Sequence, residues 1–171
     1  WINLKLNIRK TLRINSFPPI VDDNSKILIL GSMPGAKSLE MNQYYAFPQN
    51  QFWKIMFHLF DAEFSDDYGT RINFIKQNKI ALWDVIESCE RKGSLDTEIK
   101  AEIDNDIPQL IENHSNIKMI FCNGQKSYKN LLKILGKNFK IPILVLPSTS
   151  PLHTVRFEEK LESWKVIQEY L

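Results

Sequence analysis

Four short apolar runs, each closed by turn-forming or polar residues, constrain the fold of this 171-residue chain more than any other feature. They read KILILG at 26–31, KIALWDVI at 79–86, IKMIFC at 117–122 and IPILVL at 141–146. A strand covered on both faces loses the alternation of a half-exposed one and shows up as such a run. Helical spacing fills the intervals. Residues 51–60 set Phe52, Ile55, Met56, Leu59 and Phe60 on one face, with Asn50 available as the N-cap. Residues 68–77 predict a second helix, and Pro108 suits the first turn of a third. In 125–136, Tyr128, Leu131, Leu132 and Leu135 share one face, and Lys126, Lys129 and Lys133, continued just beyond by Lys137, the other. Residues 157–171 close the chain with a helix carrying Trp164, Ile167 and Leu171. The polar stretch 87–106 predicts a loop with a short helix. Strands alternating with helices predict an α/β fold, a parallel sheet covered on both faces.

In such a sheet ligands bind beyond the carboxyl ends of the strands. The loops there read GSMPG, WDVIESCE, NGQ and PSTSPLHT. GSMPG matches neither the phosphate loop GxxxxGK[ST] nor the dinucleotide fingerprint GxGxxG, and the chain contains no HExxH or GxSxG. Cys89 and Cys122 lie 33 positions apart, and His58, His114 and His153 are scattered, so no zinc ribbon or iron–sulfur set is expected. Chemistry on these loops would rest on amides, hydroxyls and backbone groups, with no cofactor and no metal. Two cysteines without a disulfide framework predict a reducing, cytoplasmic setting. No apolar run approaches the roughly 18 residues of a membrane span, and 1–15 lacks a signal-peptide core, so neither membrane nor secretion is expected.

The block GSMPGAKSLEMNQYYAFPQNQFWKIM, followed in order by LWDVIESCERKGSLD, FCNG and LPSTSP, resembles the uracil-DNA glycosylase superfamily, in particular its mismatch-specific and hypoxanthine-DNA (deoxyinosine) glycosylase branches. The resemblance spans residues 17–157. It implies a three-layer α/β/α sandwich with a central four-stranded parallel sheet, one domain over 17–171 after an N-terminal segment 1–16 of unassigned structure, and DNA that contains deaminated bases as the partner; a monomer is the separate expectation. Such an enzyme flips the nucleotide into a pocket and holds the base by stacking and edge hydrogen bonds.

The resemblance also distributes roles. Tyr45 lies twelve residues after Met33, the interval at which the mismatch-specific branch places its stacking aromatic; Tyr44 and Phe47 are substitutes, and core filling is the plain alternative for all three. Ser32 and Met33 belong to the base-binding motif. Uracil-cleaving branches hold Asp or Asn where Met33 stands, and a thioether can neither orient nor deprotonate water. In the hypoxanthine branch an asparagine of the PxNxFW segment takes over, here Asn50, and a second implicated asparagine maps to Asn123. Asn50 also suits a helix cap, and Asn123-Gly124 an ordinary turn.

Asp84 stands where the superfamily often places a base-edge reader. As an acceptor it could receive the N1–H of hypoxanthine, which neutral adenine lacks, or it could serve as a cap or ion-pair partner. Pro34, Gly35, Ser148, Thr149, Ser150 and Pro151 suit contacts to the phosphate backbone, Leu152 a wedge in the vacated stack, and His153 either a phosphate contact or a solvated loop position.

The leading expectation is therefore a monofunctional glycosylase of base excision repair that removes hypoxanthine. Its rivals are a uracil or thymine mismatch glycosylase, a non-catalytic nucleic-acid-binding module on the same fold, and an unrelated α/β enzyme of free nucleosides. Net charge, 22 − 20 = +2, excludes a histone-like polycation but decides nothing further. Residues 54–116 carry 7 basic and 13 acidic groups and 117–142 carry 6 and none, so the sum is a cancellation. The lysine stripe of 125–136 reads as a solvated face more readily than as a DNA contact.

Overall fold

A computed structural model describes residues 12–171. Strands β2 (Ile27–Gly31), β3 (Ile80–Asp84), β6 (Met119–Asn123) and β7 (Ile143–Leu146) form one parallel sheet in the order β3-β2-β6-β7. All five residues of β2 are buried, as expected of a central strand covered on both sides. Alternate residues feed two cores. Ile27 and Ile29 pack with α2 (Phe52–Leu59), α3 (Tyr68–Gln77) and α6 (Phe157–Trp164), whereas Leu28 and Leu30 pack with α4 (Ile107–Asn113) and α5 (Gln125–Leu135). The result is the expected three-layer α/β/α sandwich. No helix of the described residues is long and apolar enough to cross a membrane.

The polar stretch 87–106 departs from the loop with a short helix that its composition predicts. It contains β4 (Ile86–Glu90) and β5 (Lys100–Asp104), joined by a connection with a single 3-10 turn at Asp96–Glu98. These strands and β1 (Arg13–Asn15) form an antiparallel sheet in the order β1-β4-β5. Every residue of β5 is exposed, so the strand is held by backbone pairing and not by an apolar face. Of the N-terminal segment 1–16, residues 1–11 lie outside the described residues; Arg13–Asn15 pairs with Ser88–Glu90.

Two smaller corrections follow from packing. A short helix α1 (Ala36–Met41) interrupts what reads as a loop after β2. On α5 the buried residues are Ser127, Asn130 and Leu131, while Leu132 is exposed, so the apolar face is rotated from the one its leucines suggest. Asn130 and Lys126 both bind the Glu102 carboxylate on β5, which draws that polar edge against the helix.

Candidate active site

The carboxyl ends of the four parallel strands open into one cleft of about 950 Å³. It lies where the chain, having paired β3 on one side of β2, crosses to β6 on the other, the switch point at which open α/β sheets bind ligands. All fourteen residues singled out in the sequence for catalysis, base binding or DNA contact line this cleft.

Its floor is made by strand ends. Gly31 closes β2, and a Cβ there would stand 2.5 Å from Asp84 Oδ1 and 3.2 Å from the Tyr45 hydroxyl. The glycine is what lets these two side chains converge. Asp84 closes β3 and is 4 % exposed, with Oδ2 finding no hydrogen-bond partner among the described residues. Burial, reinforced by Asp96 and opposed by the Arg91 guanidinium, pushes its carboxyl up to about 7. Its backbone carbonyl accepts from Asn105 Nδ2 at 2.8 Å, which anchors the strand end.

Asn123 closes β6 and clasps two loops. Its Oδ1 accepts from Thr149 N at 2.9 Å, and its Nδ2 donates to Thr149 Oγ1 at 3.0 Å and to the Tyr45 hydroxyl at 3.2 Å. Tyr45 has φ 53°, the left-handed region, at a cost of order 1 kcal/mol for a bulky residue. Its ring stacks on Phe52 with centroids 4.0 Å apart, and this contact and the Asn123 bond hold it there. Burial raises the Tyr45 hydroxyl well above the usual phenol range, so it stays protonated. Tyr44 is buried, donates to Pro18 O at 2.8 Å and serves mainly as core, whereas Phe47 is exposed at the mouth.

Asn50 is half-buried. Its Oδ1 accepts from Phe52 N at 3.0 Å, but the N-cap of α2 is Gln51, one residue later than its sequence suggests. Gln51 N donates to Thr149 O at 3.0 Å, fastening the first loop to the last. Ser32, Met33, Pro34 and Gly35 form a wall, with Met33 and Pro34 buried. Ser148, Ser150 and Pro151 are half-exposed around a fully buried Thr149, and Leu152 and His153 stand exposed at the tip. The base of that loop is tied to α6: Trp164 Nε1 donates to Pro147 O at 2.9 Å, and Lys160 Nζ to Ser150 O at 3.1 Å. Lys160 is 1 % exposed, and burial pushes its ammonium down from the usual lysine range.

The sequence gives no warning of Lys160, nor of Arg91, Ser94 and Asp96 on the β4–β5 connection. Arg91 reaches Pro34 O, Ser94 Oγ accepts from Ala36 N at 2.8 Å, and Ser32 Oγ donates to Asp96 Oδ1 at 2.8 Å. Only long-range contacts reveal them. Among the described residues, no group of three or more His, Cys, Asp or Glu could hold a metal ion.

A buried carboxylate and an amide clasp at the ends of parallel strands thus meet a stacked tyrosine around one cleft. The uracil DNA glycosylase superfamily matches residues 18–171, and the chain belongs to it. It is 39% identical over 133 residues to a hypoxanthine DNA glycosylase of Methanosarcina barkeri, covering 76% of this chain and 84% of that one. It is 37% identical over 155 residues to a protein of the same description from Methanosarcina acetivorans, covering 88% and 95%. A solution NMR structure from Methanosarcina acetivorans, described as that of a candidate uracil DNA glycosylase, superposes with TM-score 0.77 at 33% identity, covering 91% of this chain and 96% of that one.

Proposed function

We propose that the protein hydrolyses the N-glycosidic bond of hypoxanthine in DNA, as a monofunctional glycosylase that acts as a monomer without metal or cofactor. The observation that carries this reading is the cleft floor: a buried carboxylate with an oxygen unpartnered among the described residues, in the same cleft as Met33, which stands where the family resemblance puts the water-handling residue of uracil-cleaving branches. Once ionised, above pH about 7, the carboxylate there accepts the N1–H of hypoxanthine and repels the lone pair of adenine N1. Uracil and xanthine present the same N–H beside a carbonyl, so the floor would admit them. Met33 leaves the water to another residue.

That residue is Asn50. A carbonyl oxygen has two lone pairs, and Phe52 N takes one, so the second remains for water at the mouth of the cleft. The C1′–N9 bond breaks with its electron pair passing to the base, the held water adds its oxygen to C1′, and its proton leaves to solvent. An amide is a weak base, so the site relies on placing water against an oxocarbenium-like sugar and on a delocalised leaving anion. Tyr45 offers its ring to the base, and Asn123 keeps that ring and Thr149 in place. Gly35, Ser148, Ser150, Pro151 and His153 face the strand's phosphates, Pro34 and Thr149 are buried behind them, Ser32 and Met33 border the base, and Leu152, 66 % exposed, fills the vacated stack. Cytoplasmic location belongs to the same reading, since Cys89 and Cys122 are buried free thiols suited to a reducing compartment.

The test is incubation with duplexes carrying deoxyinosine, deoxyxanthosine or deoxyuridine, followed by alkaline cleavage at abasic sites, with free deoxyinosine in parallel. The reading predicts cleavage of the inosine strand and no turnover of the free nucleoside. Binding without abasic product would favour a non-catalytic module, preference for uracil a uracil or mismatch enzyme, and turnover of free deoxyinosine a nucleoside hydrolase.

A further inference from the structure

The β4–β5 connection, residues 91–99, has no part in the chemistry above, yet it grips the loop after β2 along its length. Ahead of it, at the β3–β4 junction, Val85 N donates to Gly31 O at 2.9 Å and Ile86 N to Ser32 O at 3.2 Å, continuing the strand pairing outward. Arg91 Nη2 then donates to Pro34 O at 2.5 Å, and Ser94 and Asp96 hold Ala36 and Ser32 as described. Arg91 is the buried member, 6 % exposed; its Nε donates to Gly93 O at 2.9 Å, and its Nη1 finds no partner among the described residues.

A buried guanidinium with no carboxylate in ion-pair contact among the described residues is costly, and an apolar side chain of similar length would fill the space with less desolvation. Something must favour the charge. Its anionic surroundings are Asp84 and Asp96, with the Cys89 thiol close by. Around the Asp84 carboxyl stand Asp96 from the same connection and the Tyr44 and Tyr45 hydroxyls from the segment after α1. Among the described residues, Arg91 is the cation of this group.

We propose that Arg91 is a positioning residue: it fixes the Pro34 carbonyl, and with it the loop wall of the cleft, and supplies the positive charge that balances the buried Asp84 carboxylate. This rests on the reading of Asp84 as the acceptor for the base. The guanidinium fork and the charge are separable, because lysine keeps the charge without the fork and methionine keeps neither.

Arg91→Met and Arg91→Lys separate the two roles in one experiment. The Asp84 carboxyl is followed by ¹³C NMR against pH in the folded proteins, and KM and kcat are measured on a deoxyinosine duplex. Arg91→Met is expected to raise the Asp84 midpoint from about 7 by about one pH unit, and to raise KM about tenfold. Arg91→Lys is expected to leave the midpoint in place while still raising KM. A folded Arg91→Met with the wild-type midpoint overturns the charge role, and a wild-type KM in Arg91→Lys overturns the brace. If the methionine variant does not fold, the lysine variant's KM alone decides the brace, and its midpoint the charge: a midpoint raised despite the retained cation overturns that role. Absence of cleavage by the wild type would overturn the proposed function, while the NMR titration would still decide the charge role.

Discussion

Replacing Asp84 by asparagine should stabilise the protein at pH 8 relative to pH 4. The carboxyl lies at about 7 in the folded state against an ordinary 3.8, so the folded state holds the proton that the unfolded chain releases first. Its contribution to stability is therefore complete below pH 4 and is lost as pH rises through 7. A gap of about three pH units at 1.36 kcal/mol each gives a loss of up to about 4 kcal/mol between pH 4 and pH 8. Asparagine is nearly isosteric, so the Gly31 and Tyr45 contacts survive, and it does not ionise. Any cost of its own unpaired amide, about 1–3 kcal/mol, is the same at both pH values. The assay is urea unfolding followed by tryptophan fluorescence at pH 4, 6 and 8 for wild type and Asp84→Asn. Other titrating groups cancel in the difference between the two proteins, which should grow by about 2–4 kcal/mol from pH 4 to pH 8. A difference constant to within about 0.5 kcal/mol would refute the claim that Asp84 carries a burial penalty.

Three further substitutions probe the cleft. Asn123→Ala removes the bonds to Thr149 N, Thr149 Oγ1 and the Tyr45 hydroxyl, and should cost about 2–3 kcal/mol in urea unfolding and lower excision as Tyr45 and the 147–153 loop come free. Gly31→Ala places a Cβ 2.5 Å from Asp84 Oδ1, and the displaced floor should show as a loss of base excision of at least tenfold in single-turnover assays. Leu152→Ala, at an exposed tip, should change stability by less than about 0.5 kcal/mol but lower excision from duplex more than from single-stranded DNA.

The sandwich is legible in the sequence because strands buried on both faces must be apolar, and their last residues, Gly31, Asp84 and Asn123, are the cleft floor. The second sheet is not legible, because β5 buries no side chain and is specified by backbone pairing to β4 and by Glu102 reaching α5. The same limit hides Arg91. A polar residue in a polar stretch gives no sign of being buried, and only the fold shows its reach of 57 positions to Pro34. The family resemblance points to Tyr45, but its left-handed backbone and its bond from Asn123 come from three loops meeting. Asn50 reads as a helix cap and sits one residue too early for it, bonded to Phe52 N with an acceptor to spare.

The central claim is that this cleft excises hypoxanthine with Asn50 holding the water. Its most direct test is single-turnover release of hypoxanthine from a deoxyinosine duplex by wild type and Asn50→Ala, with DNA affinity and unfolding measured on the same preparations. The account predicts a fall of about 10²-fold or more in the rate, with affinity nearly unchanged and no more than about 1 kcal/mol lost in stability. Equal rates for the two proteins would contradict it.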